Sequence, residues 1–393
     1  MRGRDRFDIA VVGAGVVGSA AALRLASEGL RVAIVEAHEP ARWVASPADL
    51  RVYAFAPDSQ ALLESIGVWD QGVAARAHPY RRMRVWDAAG GDELAFDADQ
   101  MGRRCLGHIV EHALLVDRLW AAVMRHPGIE RFCPDKLVEL EQDENEVSML
   151  LQRGTRLRAG LALGADGASS SVRTLLGVQS REHDYGQQGL VAYVSTRQGH
   201  EDTAWQRFLA TGPLAFLPCG DGRCSIVWTL PSAEAERLLA LDEALFRAEL
   251  TRAFDARLGE VTGVSERKAF ALQRRLVEPM LVGRVALVGD AAHVVHPLAG
   301  QGVNLGLRDV ASLGEVVAAA RAQGPDVGAG HRLQRWARTR ASENAIAAGS
   351  FEAINRLFSN DALLPTLMRG RLLGLAGKLP PLTQFFWKRA AGL

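Results

Sequence analysis

Residues 7–36 read FDIAVVGAGVVGSAAALRLASEGLRVAIVE, and this stretch decides the fold. The apolar run DIAVV predicts a buried strand, SAAALRLASEG predicts a helix that ends at Gly29, and RVAIVE predicts a second strand. Between the first strand and the helix, GAGVVG places Gly13, Gly15 and Gly18 at the GxGxxG spacing. A strand, a glycine loop, a helix and a second strand, in that order, predict a unit that binds a dinucleotide.

Each glycine of this loop has its own predicted task. Gly13 allows a tight turn, Gly15 lets the backbone approach a pyrophosphate, and Gly18 lets the helix pack on the strand. The helix N-terminus then offers free N–H groups and a positive dipole end to the phosphates. Glu36, at the end of the second strand, can accept hydrogen bonds from ribose hydroxyls. The motif does not distinguish FAD from NAD, because both contain an adenosine diphosphate half.

The composition is that of a soluble globular protein with a sizeable core. The chain has 393 residues, of which 48% are hydrophobic and 23% charged. A net charge of +1 gives no indication of a nucleic-acid partner. The first residues resemble a signal peptide, but Arg24 interrupts the apolar run and RVAIVE follows directly, which favours the strand, turn and helix. Cys219 and Cys224 flank the turn sequence GDGR, and their spacing favours a hairpin over a zinc site or a redox pair.

Two later strands are each predicted to end in an aspartate. Residues 159–173 read AGLALGADGASSSVR, in which LALGAD ends at Asp166 and SSSVR starts a helix. Residues 284–309 read RVALVGDAAHVVHPLAGQGVNLGLRD, in which VALVGD ends at Gly289 and Asp290. Either pattern alone also fits an aspartate that only caps a loop.

The loop after Asp290 contains a proline and two glycines. Pro297 fixes the backbone, and Gly300 and Gly302 leave it bare of side chains. Apolar residues at helical spacing predict that a helix follows the loop: Val303, Leu307, Val310, Leu313 and Val317. The loop therefore presents backbone N–H groups at a helix N-terminus, which would stabilise a negative charge on a bound group.

His293 and His296 stand three residues apart in the same stretch. A metal site would need a third ligand and a rigid face, whereas this sequence runs into a proline and a glycine loop. We therefore expect no metal here, and expect packing or hydrogen-bonding roles for both residues. An acid–base role for His296 stays open.

Together these motifs resemble the group A flavoprotein aromatic monooxygenases, which have the p-hydroxybenzoate hydroxylase-like fold. GADGASSSVR is similar to their DG motif, and GDAAHVVHPLAGQGVNLG is similar to their GD motif and flavin-contacting loop. HPLAGQGVNLGLRD further resembles the signature of the ubiquinone-biosynthesis hydroxylases, with Val303 where leucine is common. PADLRVYAFAPDSQALLESIGVW and QRFLATGPLAFLPCGDGRCSIVWTLP also resemble that branch, so the resemblance covers nearly the whole chain.

The resemblance implies FAD as the cofactor, NAD(P)H as the reductant and O2 as the cosubstrate. By this resemblance Asp290 binds the ribityl chain, Arg51 contacts the FAD, and Asp166 helps to hold the FAD and pyridine nucleotide regions. Glu111 either approaches the flavin or is a solvated acid at the start of a helix. The implied cofactor-binding residues are Gly13, Gly15, Gly18, Glu36, Arg51, Asp166, Gly289, Asp290, Pro297, Gly300, Gly302, Val303 and Asn304.

The expected fold class is α/β, with a Rossmann-like FAD-binding domain, a mostly antiparallel β-sheet substrate domain and C-terminal helices. Alternating strands such as GLVAYVSTR and CSIVWTL suit the antiparallel sheet. We expect the FAD between the two domains, where ligand sites usually form. The predicted boundaries are 1–78, 102–180 and 272–345 for the FAD-binding domain, 79–101 and 181–271 for the substrate domain, and 346–393 for a C-terminal helical tail.

The implied reaction is hydroxylation of the aromatic ring of a polyprenyl phenol in ubiquinone biosynthesis, through a flavin C4a-hydroperoxide. The cofactor carries this chemistry, so the protein must supply a closed, mostly apolar pocket in front of the loop of Pro297, Gly300 and Gly302. Tyr193 and Tyr185 are candidates for activating the phenol, and packing roles for both stay open. The alternatives are a monooxygenase for a soluble aromatic or polyketide, and a non-catalytic flavin-binding component of a quinone-synthesis complex.

The last residues, 365–393, combine leucine, phenylalanine and tryptophan with arginine and lysine, and contain no acid. This composition predicts peripheral contact with a membrane surface or with partner proteins of a ubiquinone-biosynthesis complex. A helix packed on its own domain is the other interpretation. We expect a cytoplasmic protein that associates with the inner face of the membrane.

Overall fold

The computed structural model of the chain describes residues 6–45, 49–90, 92–295, 302–324, 326–328 and 330–358. Within these residues the strands are β1 (Arg6–Val12), β2 (Val32–Val35), β3 (Val52–Phe55), β4 (His78–Tyr80), β5 (Arg82–Asp87), β6 (Leu94–Asp97), β7 (Gly107–Glu111), β8 (Ile129–Phe132), β9 (Leu137–Gln142), β10 (Val147–Leu151), β11 (Arg156–Gly164), β12 (Ser180–Thr196), β13 (Thr203–Leu209), β14 (Gly212–Pro218), β15 (Cys224–Pro231), β16 (Val261–Val264), β17 (Lys268–Val277), β18 (Leu281–Val282), β19 (Val285–Leu287) and β20 (His293–Val294).

The described helices are α1 (Val16–Ser27), α2 (Pro57–Ser65), α3 (Gln71–Ala74), α4 (His112–Arg125), α5 (Ser171–Leu175), α6 (Ser232–Ala240), α7 (Glu243–Ala253), α8 (Gly302–Arg321) and α9 (His331–Phe358). Short 3-10 turns lie at Asp99–Met101 and Gly289–Ala291. None of these helices is both long enough and apolar enough to cross a membrane.

The first sheet grows from the predicted dinucleotide unit. Its strand order is β18-β19-β11-β1-β2-β8, and β10 and β9 extend it beyond β11. β1 is parallel to both neighbours, with Ile9 opposite Leu161 on one side and Val32 on the other. Helix α1 packs against both α4 and α8. A parallel strand buried on both faces needs a continuous apolar sequence, which explains why DIAVV shows no alternation.

The second sheet is the mostly antiparallel one that the sequence predicted. Its order is β20-β17-β12-β15-β14-β13-β5-β6, with β16 beside β12, and among its pairs β13 and β5 run parallel. Leu190, Ile226 and Phe246 belong to the core that joins one face of this sheet to α6 and α7. Cys219 and Cys224 stand on either side of the turn between β14 and β15 as free thiols, so the hairpin prediction is confirmed.

A third, small sheet lies where the two large sheets meet. Its order is β3-β7-β4, and all its pairs are antiparallel. Ala54 and Ile109 pack against Ala204 and Leu217 of the second sheet. The three-stranded sheet therefore joins the nucleotide-binding half of the fold to the face of the second sheet opposite α6 and α7.

Candidate functional site

The three motifs from the sequence meet at one edge of the first sheet. Gly13 has φ +105°, and a Cβ on it would overlap the backbone of Ala165 at the end of β11. Val17 of α1 lies against the other motif, since Cβ atoms on Gly289 and Gly306 would come within 3.1 Å and 2.6 Å of its side chain. The motifs therefore pack against one another at positions that leave space only for glycine.

Gly15 differs from these glycines because the space beside it is open. No described atom lies within 4 Å of a Cβ built on Gly15, and no side chain caps α1 there. Glu36 holds the loop from the next strand, with one carboxylate oxygen 2.6 Å from the backbone N of Ala14. The helix N-terminus is thus open to a phosphate, and the Glu36 carboxylate lies beside the glycine loop.

Asp166 caps the short helix that follows it. Its carboxylate accepts hydrogen bonds from the Ser170 hydroxyl at 2.5 Å, from the Ser171 backbone at 2.6 Å and hydroxyl at 2.8 Å, and from the Val172 backbone at 3.1 Å. Four hydrogen bonds to the helix start leave this carboxylate with a structural task in the fold. The binding role that the resemblance implies for Asp166 stays a prediction.

Arg51 and Asp290 both lie close enough to Tyr53 for their charges to act on its hydroxyl. Burial raises the pKa of Tyr53 to about 12; Arg51 opposes this rise and Asp290 adds to it. The hydroxyl lies 2.8 Å from His112 Nδ1. Burial and the charge of Arg51 lower the pKa of His112 to about 4, so the imidazole is neutral at pH 7.

The start of α8 connects the site to the third sheet. The buried Asn304 side chain accepts a hydrogen bond from the Ala56 backbone at 3.0 Å and donates one to Ala54 O at 2.9 Å. Val303 packs in the main core, whereas the space beside Gly302 is open within the described residues. Because both polar ends of the Asn304 side chain are used, this residue positions β3 against α8. The contact between Asn304 and FAD that the resemblance implies stays a prediction.

The other residues predicted for this loop, His296, Pro297 and Gly300, lie outside the described part of the chain. Gly289, which precedes the predicted ribityl ligand Asp290, has φ +59° and opens the 3-10 turn. Asp290 is partly exposed in that turn. Arg173, from the DG segment, donates a hydrogen bond to Ala291 O at 3.1 Å and so ties two of the motifs together.

A cavity of about 150 Å³ lies between the third sheet and the turn that joins β14 and β15. Val52 and Ile109 give its wall an apolar part, and Tyr193 gives it an aromatic part. Charged groups complete the wall, so the cavity has both polar and apolar surfaces. Burial raises the pKa of the Cys219 thiol in this wall to about 12, so it is protonated at neutral pH.

Glu111 is a buried member of the cavity wall, so the interpretation as a solvated acid is wrong. One of its carboxylate oxygens accepts a hydrogen bond from Trp43 Nε1 at 2.8 Å, and the other pairs with Arg76. The Arg76 guanidinium also lies 5.2 Å from the centre of the Trp43 ring. Sequence reasoning missed Arg76 and Trp43 because neither belongs to a motif.

Tyr193 lines the cavity, with its hydroxyl donating a hydrogen bond to Asp49 O at 2.7 Å. The Arg223 guanidinium lies 4.7 Å from the centre of its ring. Burial raises the pKa of Tyr193, so the phenol is protonated at neutral pH, and its oxygen still has a lone pair for an incoming hydroxyl. Tyr185, the other candidate, packs edge-on to His183 at a ring distance of 4.9 Å.

His78, His200 and Asp202 form a cluster whose ligand-type atoms lie within 4.8 Å of one another. Both nitrogens of His200 are already used: Nε2 lies 3.1 Å from Cys219 O, and Nδ1 accepts from the Asp202 backbone at 3.2 Å. His78 Nε2 lies 2.9 Å from the Asp202 carboxylate. These hydrogen bonds brace the cavity wall and account for the cluster without an ion.

Comparison with known proteins connects this geometry to a family. A family model described as FAD binding domain matches residues 6–329. The 3-demethoxyubiquinol 3-hydroxylase of Escherichia coli (strain K12) is 39% identical over 94% of this chain and 93% of its own length. The ubiquinone hydroxylase UbiL of Rhodospirillum rubrum is 37% identical over 98% of this chain and 89% of its own length.

Among solved structures, the p-nitrophenol 4-monooxygenase PnpA from Pseudomonas putida DLL-E4 matches with a TM-score of 0.76. The match covers 98% of this chain and 99% of that one, at 18% sequence identity. At this identity, the comparison shows a common fold and nothing about substrate.

The described residues fit FAD. The open side of Gly15 and the uncapped start of α1 leave space for a pyrophosphate where a side chain would otherwise stand. Glu36 supplies a carboxylate beside the glycine loop, 2.6 Å from the backbone N of Ala14, and its contact with the ribose stays a prediction. The charges of Arg51 and Asp290, two further residues predicted to bind FAD, both act on the Tyr53 side chain.

Proposed function

We propose that this chain, which belongs to the FAD binding domain family, hydroxylates the aromatic ring of a polyprenyl phenol in ubiquinone biosynthesis. One observation carries the proposal. The 39% identity to the 3-demethoxyubiquinol 3-hydroxylase of Escherichia coli extends over 94% of the chain, so it includes the second sheet and the cavity wall as well as the FAD motifs.

FAD, when bound, supplies the chemistry: it takes electrons from NAD(P)H and activates O2 for transfer of one oxygen atom to an electron-rich ring carbon. The chain itself binds, orients and excludes water. The Gly13–Gly18 loop and the start of α1 would hold the pyrophosphate, and Asp290 would hold the ribityl chain. The packing of the third sheet against the second keeps water from the ring.

The cavity beside Tyr193 is the proposed site for the phenol ring. Val52 and Ile109 contact its faces, and the Tyr193 oxygen accepts a hydrogen bond from the ring hydroxyl. Electron density at the ortho and para ring carbons rises when that hydroxyl donates its proton toward an acceptor. Glu111 lies in the same wall, where its carboxylate is paired with Arg76.

The isoprenoid chain of such a substrate lies in a membrane, and residues 365–393 supply the proposed contact with the inner face of that membrane. This segment lies outside the described residues, and the proposal is drawn from its apolar and basic sequence. Deletion of 365–393 should abolish sedimentation with anionic liposomes and leave FAD content unchanged. If the deleted protein still sediments with liposomes, the segment has no such role.

Complementation tests the proposed function directly. The chain should restore ubiquinone, measured by mass spectrometry, in an Escherichia coli strain that lacks the 3-demethoxyubiquinol 3-hydroxylase. The matched control is Asp290→Ala, which should stay folded, lose FAD and fail to restore ubiquinone. Restoration by this variant would favour a non-catalytic component. NADPH oxidation that responds only to water-soluble phenols, without restoration, would favour a different monooxygenase.

A further inference from the structure

The carboxylate of Asp309, on α8, holds both ends of the turn that carries Asp290. Asp309 is fully buried. One of its oxygens, Oδ2, lies 3.1 Å from the backbone N of Gly289 and 2.6 Å from His293 Nε2. Gly289 precedes Asp290 and His293 follows it, so a single carboxylate oxygen fixes the turn from both sides.

The second oxygen of Asp309 faces the long helix α9. Arg340 Nε donates to Oδ1 at 2.8 Å, and Asn344 Nδ2 lies 3.4 Å from the same oxygen. Arg340 is also buried and extends one of its terminal nitrogens to Leu305 O at 3.4 Å. The positive charge of Arg340 stabilises the buried Asp309 carboxylate, because an unpaired carboxylate at this position would be strongly unfavourable.

The protonation state of the Asp309 carboxylate follows from these contacts. Burial raises the pKa of Asp309, but His293 and Arg340 outweigh that effect and leave the pKa below its ordinary value. An ionised carboxylate only accepts hydrogen bonds, so His293 donates from Nε2. Its Nδ1 is buried and has no hydrogen-bond partner among the described residues.

We infer that Asp309 is a positioning residue for FAD, which sets the Asp290 turn, and that Arg340 makes α9 part of this support. The inference rests on the proposed function only in that FAD is the ligand of the turn. Nothing in it depends on the substrate. The hydrogen bonds extend from α9 through α8 to the turn. A substitution in α9 can therefore alter FAD binding even though the substituted residue does not contact FAD.

The test uses the full-length apoprotein and an FAD titration followed by flavin fluorescence. Asp309→Asn keeps the size of the side chain and removes its charge, so the dissociation constant for FAD should rise by about tenfold or more. His293→Ala removes one of the two contacts and leaves the Asp309–Arg340 pair intact. This second variant should fold even if Asp309→Asn does not, and should weaken FAD binding by at least about threefold.

A matched control is available at a second buried arginine. Arg284 is buried and pairs with Asp326 through two contacts of 2.7 Å, while its guanidinium also reaches Gly160 O, far along β11 from the nucleotide edge. Asp326→Asn should lower the melting temperature without changing the dissociation constant for FAD.

The outcomes separate the two proposals. Weak FAD binding in the Asp309 or His293 variants, with unchanged binding in the Asp326 variant, supports the positioning role. FAD binding within twofold of the wild-type value in the folded Asp309 or His293 variant overturns it. So does equal weakening in the Asp326 variant, because loss of stability alone would then explain the result. A wild-type chain that binds no FAD would instead contradict the proposed function.

Discussion

The nucleotide-facing edge of the first sheet and the cavity beside the second sheet are built from different kinds of contact. At the edge, glycines meet backbone and small side chains, as Gly13 meets Ala165. At the cavity, large side chains meet each other: Arg76 with Glu111, and Arg223 with Tyr193. At Gly13 and Gly306 the edge has no space for an added atom, whereas the cavity wall depends on individual interactions that can be removed one at a time.

The largest effect is expected at the edge, from Gly13→Ala. The added methyl group would overlap the Ala165 backbone, and the residue would have to adopt φ +105°, which is strained for any residue except glycine. We expect a loss of about 3 kcal/mol or more in the free energy of unfolding. The measurement is the yield of soluble protein and its denaturant unfolding curve.

Gly15→Ala changes a second glycine of the same loop, at a position with a different predicted task. The space beside Gly15 is open among the described residues, so the variant should keep its melting temperature within about 2 °C. FAD binding should weaken by about tenfold or more, because a methyl group would stand where the pyrophosphate approaches. If the two alanine variants lose the same stability, the division of tasks between these glycines is wrong.

The third sheet joins the two regions, and the pH dependence of stability tests it through His112. The folded pKa of His112 is about 4, below its ordinary value of 6.5, because the ring is buried and lies near Arg51. Between these pH values the unfolded chain binds a proton that the folded chain does not. Stability from this residue is therefore complete above pH 6.5 and is lost as the pH falls toward 4, by on the order of 3 kcal/mol.

The measurement is urea unfolding of the wild type and of His112→Asn between pH 4 and pH 7. The variant has no group that titrates at this position, so its stability should fall less steeply with decreasing pH. His331→Asn, at an exposed position on α9, is the matched control and should have the wild-type slope. Parallel curves for the wild type and His112→Asn would contradict the neutral, buried imidazole.

The smallest effect is expected in the cavity wall, from Tyr193→Phe. This change removes only the hydrogen bond to Asp49 O and keeps the ring that Arg223 covers. We expect a loss of about 1 kcal/mol in stability. If Tyr193 also orients the phenol, more NADPH should be consumed per product formed, with the excess appearing as hydrogen peroxide. Unchanged stability and an unchanged ratio of product to NADPH would leave Tyr193 as a packing residue.

The same comparison explains what the sequence could predict. The edge follows from local patterns: glycine spacing located β1 and α1, and apolar spacing located α8. The predicted end of α1 at Gly29 was close to the observed one, because Ser27 ends the helix and Gly29 follows with φ +74°. The DG pattern gave the position of Asp166, but a pattern cannot reveal that the carboxylate caps α5.

The cavity was harder to predict because it is formed by short elements. Strands β3 and β4 contain four and three residues, too few for a reliable period, and they pair with β7 only in the folded chain. Trp43, Arg76 and Glu111 meet across more than 60 residues of sequence, since Trp43 and Glu111 are 68 apart. No spacing rule connects positions at that distance.

The two hydrogen bonds that join Asn304 to the C-terminal end of β3 also set the order of events during synthesis. They join residues 248 and 250 positions apart. At about 5–20 residues per second, β3 leaves the ribosome roughly 10 to 50 seconds before α8 exists. During this interval the N-terminal unit lacks the contacts that α8 makes with β3. We therefore expect FAD to be captured late, after nearly four fifths of the chain has been made, and free FAD to favour the last step of folding rather than the first.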